Sequence, residues 1–247
     1  MEARSYPKLK SPPIHEAVLD IRVRARAGAS PALLDSLKDL FRPRFPMVEP
    51  LNAWQATFEI RPHAVPSTRA VEQLVGLLFR TEDAKFVLQT RVDGLTLSRL
   101  SPYTSFDEIL PVFMECWSVY SRLIEPTAAT RLALRYINRF DVPPAGILES
   151  YLRIVPRPPI GDSRFTAFFH RDAYRLNDRN LSANVSTALE PSLDGRSTTL
   201  MIDIDAYREG PLPLSGDSLP SLFAELRELK NRIFFSLLAD QALERFQ

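Results

Sequence analysis

With 247 residues, 45% hydrophobic and 25% charged, and a net charge of +1, the chain has ordinary globular composition and no basic excess for strong non-specific nucleic-acid binding. Its single cysteine, Cys116, excludes an intrachain disulfide framework and any multi-thiolate metal site. The opening MEARSYPKLKSPPIHEA lacks the apolar core of a signal peptide and no apolar run reaches membrane-spanning length, so a cytoplasmic location is expected.

Residues 1–13 are polar and proline-containing and are expected to form an extended arm. From residue 14 to 26 the chain alternates, with Leu19, Ile21, Val23 and Ala25 on one face and Asp20, Arg22, Arg24 and Arg26 on the other, which predicts a half-buried strand. Ser30-Pro31 then opens a helix with Leu33, Leu34, Leu37, Leu40 and Phe41 as its stripe, ended by Pro43. Trp54, Ala56, Phe58 and Ile60 mark a second strand, and residues 74–80, 85–92 and 95–100 read as three more. Asp93-Gly94 between the last two is a strong hairpin signal. Ser105 to Glu108 forms a capping box for a helix buried through Ile109, Phe113, Trp117, Tyr120 and Ile124, with Pro111 expected to kink it or shift its start.

Residues 130–140 open a second series. Leu132, Leu134, Tyr136, Asn138 and Phe140 point one way; Arg131, Ala133, Arg135, Ile137 and Arg139 point the other. A short helix around 147–151, strands over 164–171 (with 174–176 extending it or forming another) and 181–189, an Asp194-Gly195 turn and a strand over 198–208 follow. A long helix after Ser218 carries Leu222, Phe223, Leu226, Leu229, Ile233, Phe234 and Leu237. The order strand, helix, several strands, long helix thus occurs twice. The expected fold is α+β: an arm at 1–13 and two tandem β-α-β(3-4)-α repeats at 14–126 and 127–247, packed as one unit. Each repeat would have a curved antiparallel sheet cradling a long helix, a helix-grip arrangement like the saddle of the TATA-binding protein.

Several motifs carry a family likeness. They are Pro12-Pro13-Ile14-His15-Glu16-Ala17, Asp93-Gly94 followed by Leu97-Ser98-Arg99-Leu100-Ser101-Pro102-Tyr103, then Trp117 and Tyr120, and Leu134-Arg135-Tyr136-Ile137-Asn138-Arg139. In this order they resemble a sporadically distributed, uncharacterised family of bacterial proteins of about this length. An aromatic residue is more usual in that family where Leu95 stands, and glycine where Ala133 stands. The resemblance brings no catalytic role with it. Its sporadic distribution would fit an accessory or defence-associated part in a multi-gene system.

Chemical motifs are sparse. No H-E-x-x-H, G-x-S-x-G, G-x-G-x-x-G or P-loop occurs, and eight glycines leave little for a phosphate cradle. His15, His63 and His170 stand on separate elements without ligand spacing. Asp203 and Asp205 share a strand face and are weak metal candidates, which could bind a divalent cation or receive arginines in an ion-pair ladder. Nine arginines face five acids between residues 131 and 179, so the strand arginines are either a groove for an anionic ligand, with Tyr136 stacking on bases, or a paired surface. Candidate binding residues are therefore Arg22, Arg24, Arg131, Arg135, Tyr136, Asn138 and Arg139. Asn138, on an apolar face, must bond to backbone or a neighbouring strand. The expectation is a protein without catalytic site or cofactor, binding a protein partner or itself as an adaptor. The second reading is a nucleic-acid or nucleotide binder, and the third a metal-dependent enzyme built on Asp203 and Asp205.

Overall fold

The computed structural model describes residues 6–59, 67–143, 148–158, 160, 161, 163, 165–176, 180–191, 198–214 and 218–247, with side chains described outside 54–71. The alternating run forms β1 (Ile14–Arg24), which buries Ala17, Leu19, Ile21 and Val23. A 3-10 turn at Pro31–Ser36 leads into the five-residue α1 (Leu37–Phe41), so the expected single helix is two short pieces. Leu34, Leu37 and Phe41 still make its buried stripe. β2 (Met47–Glu59) begins seven residues before the alternation of Trp54, and the side chains on which that reading rested lie outside the described ones. Pro50 falls within this strand, which is tolerable because β2 is at a sheet edge.

β3 (Ser67–Arg80), β4 (Phe86–Arg91) and β5 (Gly94–Leu100) follow, the last two joined at the expected Asp-Gly hairpin. Gly94 is needed there for space: a Cβ would lie 2.7 Å from the Ile21 carbonyl oxygen of β1. α2 (Phe106–Ile124) starts directly after Ser105, whose Oγ accepts from the Glu108 N–H at 3.3 Å. It carries Pro111 within it and stops at Glu125, which turns left-handed (φ 48°) just before Pro126.

The remaining elements are β6 (Ala128–Val142), a 3-10 turn at Leu148–Ser150, β7 (Phe168–Leu176), β8 (Leu181–Pro191), β9 (Thr198–Leu212), α3 (Leu219–Leu237) and α4 (Asp240–Glu244). The Asp194-Gly195 turn and His63 lie outside the described residues. β7 starts four residues later than the run over 164–171 suggests and continues through Tyr174–Leu176, the extension left open for it.

Among the described residues, all nine strands join one antiparallel sheet in the order β2-β3-β4-β5-β1-β6-β9-β8-β7. This overturns the expected fold. The chain does not form two tandem repeats with a separate curved sheet cradling a helix in each, and the helix-grip and saddle comparisons go with it. The reason is long-range pairing: β1 and β6 lie side by side at the centre, with Ala17 opposite Tyr136, Leu19 opposite Leu134 and Ile21 opposite Leu132. Each closes an edge the other would leave open. Periodicity predicts which way a side chain faces; it is silent on which strand lies next door.

The long helices lie on one face of this sheet. α2 packs beside β5 and α1, and α3 over β6 and β9. The two helices meet through Phe113 and Phe223, ring centroids 5.0 Å apart and edge to face. The core between helices and sheet includes the fully buried Tyr120, Tyr136, Phe79, Leu19 and Ile21. Among the described residues no helix is long and apolar enough to cross a membrane.

Candidate functional site

β6 sends its side chains to two different environments. On the face away from the helices, Arg131 donates from one Nη to both Asp205 oxygens at 2.9 and 2.7 Å. Arg135 grips Asp203 through Nε at 2.8 Å and Nη2 at 2.6 Å. Arg139 reaches Glu190 of β8 at 2.8 Å. Arg135 stands opposite Asp205 in register but bonds the next aspartate on its own side, a diagonal pairing. Arg131 lies across the Tyr207 ring, 4.5 Å from its centroid, on the way to Asp205. The hydrogen bond to Asp203 holds the Arg135 guanidinium above its ordinary range, against the pull of burial.

Asp20 of β1 ties this face together. It is buried, and its carboxylate accepts from Thr96 Oγ1 at 2.7 Å and Arg22 Nε at 3.2 Å, with Arg131 at 3.6 Å. The resulting depression, ≈ 210 Å³, is lined by Asp20, Arg22, Arg91, Arg131, Arg135 and Asp205. Asp93, within 3.9 Å of Arg22 and 3.7 Å of Arg91, completes the balance of charge. Arg24, exposed at the end of β1, stands apart from this group. Among the described residues no three His, Cys, Asp or Glu side chains gather as a metal site, and Asp203 and Asp205 are each held by an arginine.

Tyr136 and Asn138 belong to the other, helix-covered face, so the structure separates them from the arginines with which the sequence groups them. Asn138 is 2% exposed and donates to the carbonyls of Ile202 at 3.0 Å and Tyr136 at 3.4 Å. It stands beside the β-bulge at His15, where the β1–β6 register shifts. Tyr136 Oη and Tyr103 Oη share a 3.1 Å hydrogen bond, and burial, then Tyr103, push the Tyr136 phenol well up. Lys230 of α3 places its ammonium 4.0 Å from the centre of the Tyr136 ring. Tyr103 closes one of the motifs of the family likeness, whereas Lys230 belongs to none, yet it lies four residues after Leu226 and four before Phe234, on the apolar stripe of its helix. A lysine in that register is the signal.

Cys116 is buried in α2, and burial pushes its thiol up to about 12, which keeps it unreactive.

β7 offers a different surface. It is the last strand of the sheet, paired among the described residues on one side only, with β8. Its helix-side residues stand opposite the buried Leu189, Val185, Ala183 and Leu181; Phe168 and Leu176 at its ends are half-buried against the core. Tyr174 is 44% exposed on that face and Phe169 67% exposed on the other. His170 and Tyr174 both bond Asp172 Oδ2, at 2.9 and 3.1 Å. Arg171 and Arg175, both exposed, make no ion pair among the described residues, unlike the arginines at the sheet centre.

No protein-family model, no curated protein and no solved structure matches the chain.

Proposed function

We propose that this protein is a non-catalytic adaptor of a bacterial multi-gene system, cytoplasmic, which binds an extended segment of a partner protein along the open edge of β7. The observation that supports this reading is β7 itself: among the described residues its nine residues are paired on one side, with side chains exposed on both faces, the exposed aromatics Phe169 and Tyr174, and two arginines that make no ion pair. A free edge supplies main-chain donors and acceptors for affinity, and alternate side chains supply selectivity. Arg171 and Arg175 favour acidic residues at alternate positions of the partner, and Phe169 on the same face favours an apolar one. The geometry does not favour the other two readings. The central arginines are occupied by carboxylates, and Asp203 and Asp205 are occupied by those arginines.

Selection from a displayed library of short peptides tests the reading. The full chain is expected to enrich peptides alternating acidic and apolar residues, and a Phe169→Asp, Tyr174→Asp variant to bind them at least about tenfold more weakly with an unchanged unfolding midpoint. Failure to enrich any peptide, or equal binding by the variant, removes the proposal. Salt-sensitive binding of single-stranded RNA, weakened by Arg135→Ala and Arg139→Ala, would replace it with the nucleic-acid reading.

A further inference from the structure

Lys230 is a buried cation with no anion paired to it among the described residues. The residue is 9% exposed, no ion pair to it exists among the described residues, and its one polar contact is the Tyr136 ring. The charge it feels most is a like one, Arg227, one turn earlier on α3. Burial, then Arg227, push its amine down to about 7. A lone ammonium in such a place is costly, and proteins normally set a carboxylate against it.

What stands there instead is space. A cavity of ≈ 800 Å³ opens between the N-terminal arm, the start of α2 and the inner side of α3. Lys230, Arg227, Asn138 and Tyr103 line it with polar groups, and Phe234 and Phe235 with apolar ones. Arg227 lies over the Phe106 ring at 4.8 Å and touches Asp107 at only 3.4 Å, so it retains donors for another acceptor. The other charged groups around the cavity are Lys8 and Lys10 of the arm and Asp107, which leaves cations in excess. The volume suits a small organic molecule, and an apolar wall with a few convergent polar groups is the usual make-up of such a site.

We propose that this cavity binds a small organic anion, a carboxylate or phosphate on an apolar body, with the oxyanion bonded by Lys230 and Arg227 and the body against Phe234 and Phe235. The anion supplies the missing counter-charge and returns the proton to Lys230. Binding therefore takes up a proton wherever the free amine is partly neutral.

Calorimetric titration of the full chain with benzoate and with phenyl phosphate, against benzyl alcohol as neutral control, tests this. One or both anions are expected to bind, the alcohol not, with heats that depend on the buffer at pH 8 because a proton is taken up. Which anion binds tells carboxylate from phosphate. Lys230→Met is expected to weaken binding at least about tenfold and abolish the proton uptake, and Arg227→Gln to weaken it by a similar factor. Arg227 is exposed enough for its replacement to leave the fold intact, and a cooperative unfolding transition no lower than the parent's checks each variant. The proposal is overturned if neither anion binds at millimolar concentration, if the alcohol binds as well as the anions, or if Lys230→Met binds like the parent chain.

Discussion

The two faces of β6 handle positive charge in opposite ways. Outward, Arg131, Arg135 and Arg139 each meet a carboxylate within 2.8 Å on β8 or β9. Inward, across one thickness of sheet, Lys230 lies over Tyr136 with no ion pair among the described residues. The outer charges form a ladder whose members satisfy one another, which is how a sheet makes a polar face without a ligand. The inner charge is unsatisfied and faces a cavity, the condition under which a ligand is expected to supply the partner. Density of arginine is thus a poor guide to a site; the isolated cation is the better one.

The contrast is sharpest in the pH dependence of stability. The Lys230 amine falls from an ordinary 10.5 to about 7 on folding, so between these values the unfolded chain holds a proton that the folded chain lacks. Stability consequently rises from pH 7 towards 10.5, and the cost of burying the charge is fully present below pH 7. Lys230→Met is expected to be more stable than the parent by up to about 5 kcal/mol near pH 6, with the gain fading as the pH approaches 10.5. Urea titrations across that range measure it, and a pH-independent difference would mean that Lys230 keeps its charge on folding.

Breaking the outer ladder has a smaller effect that depends on depth. Arg131→Ala takes the cation from Asp205 and one of the two beside the buried Asp20, and is expected to cost about 2–3 kcal/mol, most of it recovered when Asp205→Leu accompanies Arg131→Leu. A double-mutant cycle by chemical denaturation reads this, and additive losses would show that the pair is not coupled. Arg139→Ala removes an exposed pair and should cost less than about 1 kcal/mol, vanishing in high salt. A loss as large as that at Arg131 would erase the distinction between deep and shallow rungs.

Much of this was legible in residue order. The two faces of β1 and β6 follow from alternation, and the arginine-to-aspartate ladder was one of two readings open for Asp203 and Asp205. The cap at Ser105 and the hairpin at Asp93-Gly94 stand where their residue types require. Other features were not legible. β2 begins at Met47, through Pro50, because an edge strand can spare a donor; β7 is displaced along the chain because its apolar and polar residues do not alternate cleanly. Asn138 and Tyr136 share a strand with Arg135 and Arg139 yet face another compartment, which only the location of the helix layer gives functional meaning.

Sequence by itself determined what is local: the period that turns a side chain inward or outward, the residues that start and stop a helix, and the place of the hairpin between β4 and β5. Those depend on neighbours a few positions away, and the chain carries them wherever it goes. Tertiary structure alone decided that β1 pairs with β6, that Arg131 meets an aspartate 74 residues on, and that Lys230 has no ion pair among the described residues. Each is a contact between distant segments, set by the pairing of nine strands into a single sheet.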